Sequence, residues 1–323
     1  MQTTMAAAPS CLAEIRRDDK FEGFVLVRTA EQKISANGKY YLDMTLADAS
    51  GIINAKMWDG TVQPPLVGSI IKIRAAGNEF NGRMQLRIER MRSKDSNDPV
   101  DMSRLIPCAP ENPKAMRDEI VRAADHITDP DLRLITCRML DDAGDRLLTF
   151  PAAKQMHHAE LGGLLYHTLT MLRAAKAMMG IYPQLNASLL TAGVIVHDLA
   201  KMDEMDADSL GMVSDYSLDG KLIGHIVRGV VRIEEAAKAT NASKEKALLL
   251  QHMMLSHHGI ADYGSPKPPM FPEAEVLHTL DTLDARLFQM YEALGRANPG
   301  GFSEKVWGLE NRQLYRIPED EIK

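Results

Sequence analysis

Residues 189–201 constrain this chain more than any other stretch. From Leu189 to Val196 every side of a helix would be apolar or small, the pattern of a helix buried all round. The run ends on His197 and Asp198. Burying an imidazole and a carboxylate without partners is costly. Partners must therefore converge on this point from elsewhere in the chain, and a divalent cation would satisfy both groups at once. The candidates in sequence order are His167, His225, His257, His258 and Asp281.

Length and composition set the frame for that cluster. A chain of 323 residues is long enough for two domains. Its 45% apolar and 25% charged residues are ordinary for a globular protein. The net charge of −6 does not announce a nucleic-acid binder. The charge is uneven, however: residues 13–92 are mildly basic and the remainder is acidic, which is compatible with a polyanion site in the first part. Three scattered cysteines, Cys11, Cys108 and Cys137, suit a reducing compartment and show no metal or redox spacing. The start lacks the signature of a signal peptide, and no apolar run is long enough to span a bilayer. These features predict a cytoplasmic protein with no membrane partner.

Residues 1–12 read as a flexible tail. Residues 13–92 then read as short strands. Leu42, Met44 and Leu46 alternate with Tyr41, Asp43 and Thr45, and Met84, Leu86 and Ile88 alternate with Gln85, Arg87 and Glu89. Turn signals at Asn37-Gly38, Ser50-Gly51, Asp59-Gly60 and Asn81-Gly82 separate the runs. About five strands in so short a segment predict a small closed barrel. Residues 93–113, polar and then proline-rich, read as a linker. Helical periodicity dominates from Lys114 to about Leu294, where no convincing strand is visible, and the helical domain is expected over 114–305. Residues 306–323 read as a C-terminal tail.

The stretches 38–51, 55–58, 67–70 and 81–86 resemble the strands of nucleic-acid-binding OB-folds. Tyr40 or Tyr41, Trp58 and Phe80 could supply stacking platforms, and Lys39, Lys56, Arg74, Arg83 and Arg87 could track a phosphate backbone. Each of these residues also has an ordinary reading, as barrel core for the aromatics or solvated surface for the cations.

The order His167, His197-Asp198, Asp281 resembles the HD-domain phosphohydrolase superfamily, whose fold is all helical. His225 and His257-His258 resemble the additions of its two-metal members. The resemblance implies one ion on His167, His197, Asp198 and Asp281, and a second on His225, His257 and His258, with Asp198 shared. It further implies in-line attack on phosphorus by a hydroxide that the two ions activate. Lys201 can share the face of His197 and Asp198, where it would stabilise phosphate or pair with a carboxylate. His126, His252 and His278 match no position and read as structural or surface residues.

Residues 151–165, 256–259, 264–269 and 273–285, together with the N-terminal barrel, resemble the YhaM family of 3′→5′ exoribonucleases over roughly residues 20–295. That family implies Mn²⁺, where the imidazole and carboxylate donors would also suit Fe²⁺, Co²⁺ or Zn²⁺, and single-stranded RNA gripped by the barrel, with single-stranded DNA as an alternative strand. His157 or His158 would face the scissile phosphate or the leaving group, or pack between helices, and Lys267 would touch substrate phosphate or stand as a solvated loop lysine. The chain departs from the family at Tyr166, where an acidic residue often precedes the first histidine. Two other readings remain. One is an HD phosphohydrolase of cyclic or free nucleotides, although Tyr263-Gly264-Ser265-Pro266 does not match the Gly-Tyr-Pro signature of the cyclic-dinucleotide enzymes. The other is a non-catalytic single-strand binder. Twenty methionines suit adaptable packing or a homo-oligomer interface.

Overall fold

The computed structural model describes residues 9–35, 37–80, 82–154, 160–208 and 210–318; Asn81, His157 and His158 lie outside them. The chain divides into two compact units, Met1–Cys108 and Ala109–Lys323.

The first unit is the expected five-stranded barrel. Its strands are β1 (Lys20–Ile34), β2 (Tyr40–Asp48), β3 (Gly51–Met57), β4 (Ile70–Phe80) and β5 (Arg83–Ser93). They close in the order β1-β2-β3-β5-β4, which is OB-like. The β3–β5 pair is parallel, from Asn54 opposite Gln85 to Lys56 opposite Arg87, and the other pairs are antiparallel. β1 runs well past the apolar core of 24–27, because it serves two neighbours. Its first half pairs with β4, its second half with β2, and Leu26 faces both Ala47 and Ile70. A register shift between Val27 and Thr29 bends the strand between these two partners. Leu42, Met44 and Leu46 fill the interior with Val25, Ile71, Ile73 and Leu86, so the period-2 pattern falls on the inward face as expected. Leu12 also belongs to this core, held by its amide donating to Asp48 at 2.7 Å. Within residues 93–108 the short helix Met102–Arg104 is capped by Asp101, and Leu105 and Ile106 are buried.

The second unit is helical. Its helices are α1 (Pro113–Asp125), α2 (Pro130–Ala143), α3 (Gly163–Ile181), α4 (Ala187–Val196), α5 (Lys201–Glu204), α6 (Leu218–Leu222), α7 (Gly224–Thr240), α8 (Lys244–Ser256) and α9 (Pro272–Gly295). Asn112, Asp129 and Asn186 cap α1, α2 and α4 through side-chain oxygens that accept first-turn amides. α4 is the central member, with Leu189, Leu190, Val194, Ile195 and Val196 all buried. Gly193 lets α8 approach it: a Cβ there would lie 2.2 Å from Met253 Cε.

The helical unit does hold strands, contrary to the reading of residues 114–294 as strand-free. β6 (Met205–Ala207) and β7 (Val213–Tyr216) form a hairpin. They are too short for hydropathy periodicity to reveal. Asp208 organises their turn, its carboxylate accepting the amides of Leu210 and Met212. Near the C-terminus, Phe302 bridges to Tyr315 and Val306 to Arg312, and Leu309 is fully buried. Among the described residues no helix is long and apolar enough to cross a membrane.

Candidate metal centre

Five helical segments bring the candidate ligands together. α3 carries His167 on its buried face; His197 follows the last residue of α4, with Asp198 next in the chain; α7 carries His225 as its second residue; His257 follows the last residue of α8; and α9 supplies Asp281. All six are buried. His258 is half-buried, its ring centroid 4.2 Å from that of His257 and 5.3 Å from that of His225. The residues spread over more than a hundred positions in sequence thus meet at one point.

Asp198 lies between two groups of histidines. Its Oδ2 is 3.3 Å from His197 Nε2 and 3.5 Å from His167 Nε2. Its Oδ1 is 3.6 Å from His225 Nε2 and 3.8 Å from His257 Nε2. Asp281 Oδ1 stands 3.3 Å from His167 Nε2. His167, His197 and Asp198 form one set that could hold an ion, and His225, His257 and His258 form a second.

The imidazoles are oriented from behind. His197 Nδ1 donates to the carbonyl of Val194 and His257 Nδ1 to that of Met254, each at 2.8 Å. His167 Nδ1 lies 2.7 Å from Asp284 Oδ2, and His225 Nδ1 lies 3.0 Å from Glu204 Oε2. A carbonyl can only accept, so in His197 and His257 the proton sits on Nδ1 and the Nε2 lone pair faces inward. Such outer contacts fix tautomer and ring direction in metal sites. Glu204 also accepts the backbone amide of His225 at 3.1 Å. Its neighbour Asp203 receives Arg228 and Arg232 at 3.1 and 2.8 Å, which ties α5 to α7.

The electrostatics fit a cation. Burial alone would push the His167 pKa down, but Asp281 and Asp284 outweigh it and raise it to about 9. Burial opposes ionisation of Asp198, yet Lys201 and His197 hold its carboxyl well below the usual range. Burial holds His257 neutral, its pKa well below the usual imidazole value. Among the described residues Asp198 Oδ1, His225 Nε2 and His257 Nε2 are buried without a hydrogen-bond partner. Orphaned acceptors of this kind are expensive in a packed interior. A divalent ion accounts for them, and the nitrogen and carboxylate donors suit Mn²⁺, Fe²⁺, Co²⁺ or Zn²⁺.

Residues 164–286 match the family described as HD domain. The helical region contains an HD domain. The matched stretch carries both groups of residues that could hold a metal ion. Three solved structures resemble the barrel portion. One is a replication protein A heterotrimer bound to single-stranded DNA, 13% identical, covering 26% of this chain and 60% of that one, with a TM-score of 0.20. The others are the second OB-fold domain of replication protein A from Methanococcus maripaludis (11%, 27% and 91%, TM-score 0.20) and the mitochondrial single-stranded DNA-binding protein Rim1 from S. cerevisiae (15%, 24% and 95%, TM-score 0.19). This chain therefore spans less than two thirds of the first. The assignment of the barrel rests on its own strand order, not on these likenesses.

The remaining expected residues divide. Lys201 is buried, with Nζ 2.7 Å from Asp198 Oδ2. His158 lies outside the described residues. On the barrel, Tyr41 and Trp58 stack with centroids 4.8 Å apart. Lys56 Nζ stands 5.6 Å from both the Tyr41 and the Phe80 ring. Lys56, Phe80 and Arg83 line one cavity of about 480 Å³ with Asn54. Lys39 stands at the β1–β2 turn, exposed, its amide donating to Ser35 Oγ. Arg74 reaches Glu89 at 3.8 Å, and Arg87 faces Lys56 across β3–β5. Lys267 is exposed on the loop before α9, in the helical unit.

The residues behind the ligands escaped sequence reasoning. Asp284 had a signal, since it lies three positions after Asp281 and shares its helix face. Glu204 had none, because it meets His225 only through the fold. His278, read as structural, donates from Nδ1 to the His257 carbonyl at 2.8 Å and so steadies the turn carrying two candidate ligands.

Proposed function

We propose that this protein is a metal-dependent 3′→5′ exoribonuclease of the YhaM type, shortening single-stranded RNA held by its barrel. The observation that carries the hydrolytic part is Asp198, whose two oxygens face two separate histidine sets. His167, His197, Asp198 and Asp281 would hold one ion, and His225, His257 and His258 the other, with Asp198 common to both. Divalent ions bound there would polarise the phosphodiester and make water a competent nucleophile at neutral pH.

The chain's own residues do the rest. The backbone carbonyls of Val194 and Met254 keep the imidazole lone pairs of His197 and His257 directed at the centre. Burial opposes the charge of Lys201, but Asp198 and Asp281 outweigh it and keep the ammonium protonated at neutral pH. Held at the edge of the centre, that charge would offset the phosphoryl oxygens. On the barrel, Tyr41, Trp58 and Phe80 would stack bases while Lys56 and Arg83 meet phosphates. Lys39 would add charge on the barrel and Lys267 on the helical unit. This aromatic and cationic cluster favours a polymer over a free nucleotide as substrate.

The test is a time course on 5′-labelled single-stranded RNA with Mn²⁺, with chelator and Asp198→Ala as controls. A ladder shortening from the 3′ end, absent in both controls, is expected. Intact RNA alongside hydrolysis of a cyclic or free nucleotide would move the assignment to the small-substrate enzymes. Intact RNA, bound but uncut with metal in place, would leave a binding protein.

A further inference from the structure

The turn that follows α8 carries His257 and His258, two of the three histidines of the second set. Its backbone is sharply bent. Gly259 has a φ of +76°, in the left-handed region that glycine enters without strain. The Gly259 amide donates to the Ser256 carbonyl at 2.8 Å.

One peptide unit in this turn joins the two histidines, and both of its polar atoms are held. Its carbonyl, that of His257, accepts from His278 Nδ1 of α9 at 2.8 Å. Its amide, that of His258, donates to Oγ of the buried Ser265 at 3.1 Å. A peptide unit is planar and rigid, so fixing both atoms fixes the plane from which the two side chains depart. The His278 ring also occupies the space beside Gly259. A Cβ there would lie 2.4 Å from His278 Cε1 and 2.6 Å from its Nε2. Glycine therefore serves twice, once for its backbone angle and once for the approach of the ring.

We propose that His278 is a positioning residue for the second ion. Together with Ser265 it sets the angle at which the His257 and His258 imidazoles meet that ion. The proposal rests on the reading of His225, His257 and His258 as an ion-binding set. His278 acts through the backbone and leaves the inward nitrogens of that set untouched. α9 carries both His278 and, three positions on, Asp281 of the first set. Asp281 is placed by the helix itself, so loss of the His278 contact bears on the second ion alone.

Mn²⁺ uptake by the full-length protein tests this, with free ion counted by electron paramagnetic resonance. The wild type should take up two ions, and His225→Ala should lose one of them. His278→Leu, which removes the donor, should weaken that same ion about tenfold or more and leave the other unchanged. His278→Asn places an amide donor where Nδ1 stood and should bind both ions nearly as the wild type does. His278→Gln places its donor farther out and should behave like His278→Leu. Wild-type affinities in His278→Leu, even with a lowered Tm, would make the contact merely structural and overturn the proposal alone. Equal weakening of both ions would overturn it as well. A wild type that takes up fewer than two ions would overturn the two-ion reading and this proposal with it. If His278→Leu does not fold, the other two variants decide, and equal affinities in His278→Asn and His278→Gln would refute the assignment.

Discussion

Lys201 Nζ lies 2.7 Å from Oδ2 of Asp198, the carboxylate that stands 3.5 Å from His167 and 3.6 Å from His225. The two residues are three positions apart, the one in the turn after α4 and the other at the start of α5. Each raises the other's preference for its charged form, against the burial of both. Lys201 is therefore a fixed positive charge beside the carboxylate of Asp198.

Lys201→Ala should lower turnover by about 10²-fold, the usual cost of one preorganised charge-stabilising group. Metal content should be unchanged. Single-turnover kinetics together with elemental analysis would separate the two. Loss of metal in parallel with activity would make the lysine a structural counter-ion only.

Asp284→Ala removes the carboxylate behind His167 Nδ1. Loss of such an outer contact costs about 10–100-fold in metal affinity. Isothermal titration with Mn²⁺ should show that weakening. An unchanged affinity would mean that packing alone orients the ring.

Chelation should destabilise the helical unit. It exposes the cost of Asp198 Oδ1, His225 Nε2 and His257 Nε2, which are buried without partners. At a metal concentration of about 100 times Kd, binding contributes roughly 2.7 kcal/mol. A Tm that rises with added Mn²⁺, and does not rise in Asp198→Ala, is expected from scanning calorimetry.

Trp58→Ala should cost about 1–3 kcal/mol of single-strand affinity, since it removes a stacking face and frees the Tyr41 ring. Fluorescence anisotropy with a short RNA measures this. Hydrolysis of a small chromogenic phosphodiester should be unaffected. Lys39→Ala should have a smaller effect, because Lys39 stands at the exposed β1–β2 turn rather than in the aromatic cluster.

The pH dependence of stability can be read at Asp129. Burial would raise its pKa, but Lys246 and the first-turn amides of α2 lower it. The group titrates lower when folded than unfolded. Its stabilisation is thus present above the ordinary carboxylate range near pH ~4 and is lost as pH falls through the folded pKa. Asp129→Ala should cost about 1 kcal/mol at neutral pH as a lost cap. The difference from wild type should shrink in acid, followed by denaturant melts at several pH values.

The sequence determined what patterning and residue type can determine. Period-2 alternation in 42–46 and 84–88 specified barrel strands, because only one face of such a strand is buried. The apolar run 189–196 specified a central helix, and its terminal His197 and Asp198 required partners. The ordered histidines and aspartates named those partners by type. Tertiary structure decided what depends on distance between remote segments. It placed Asp198 between two histidine sets and put Asp284 and Glu204 behind His167 and His225, whose rings are thus directed by contacts that have no local spacing, whereas His197 and His257 are directed by carbonyls three residues back on their own helices. It also formed the β6–β7 hairpin, whose strands are too short to leave a periodic trace. Hydropathy records which face a residue turns to the core, whereas the direction of a lone pair is set by whichever group the fold brings behind the ring.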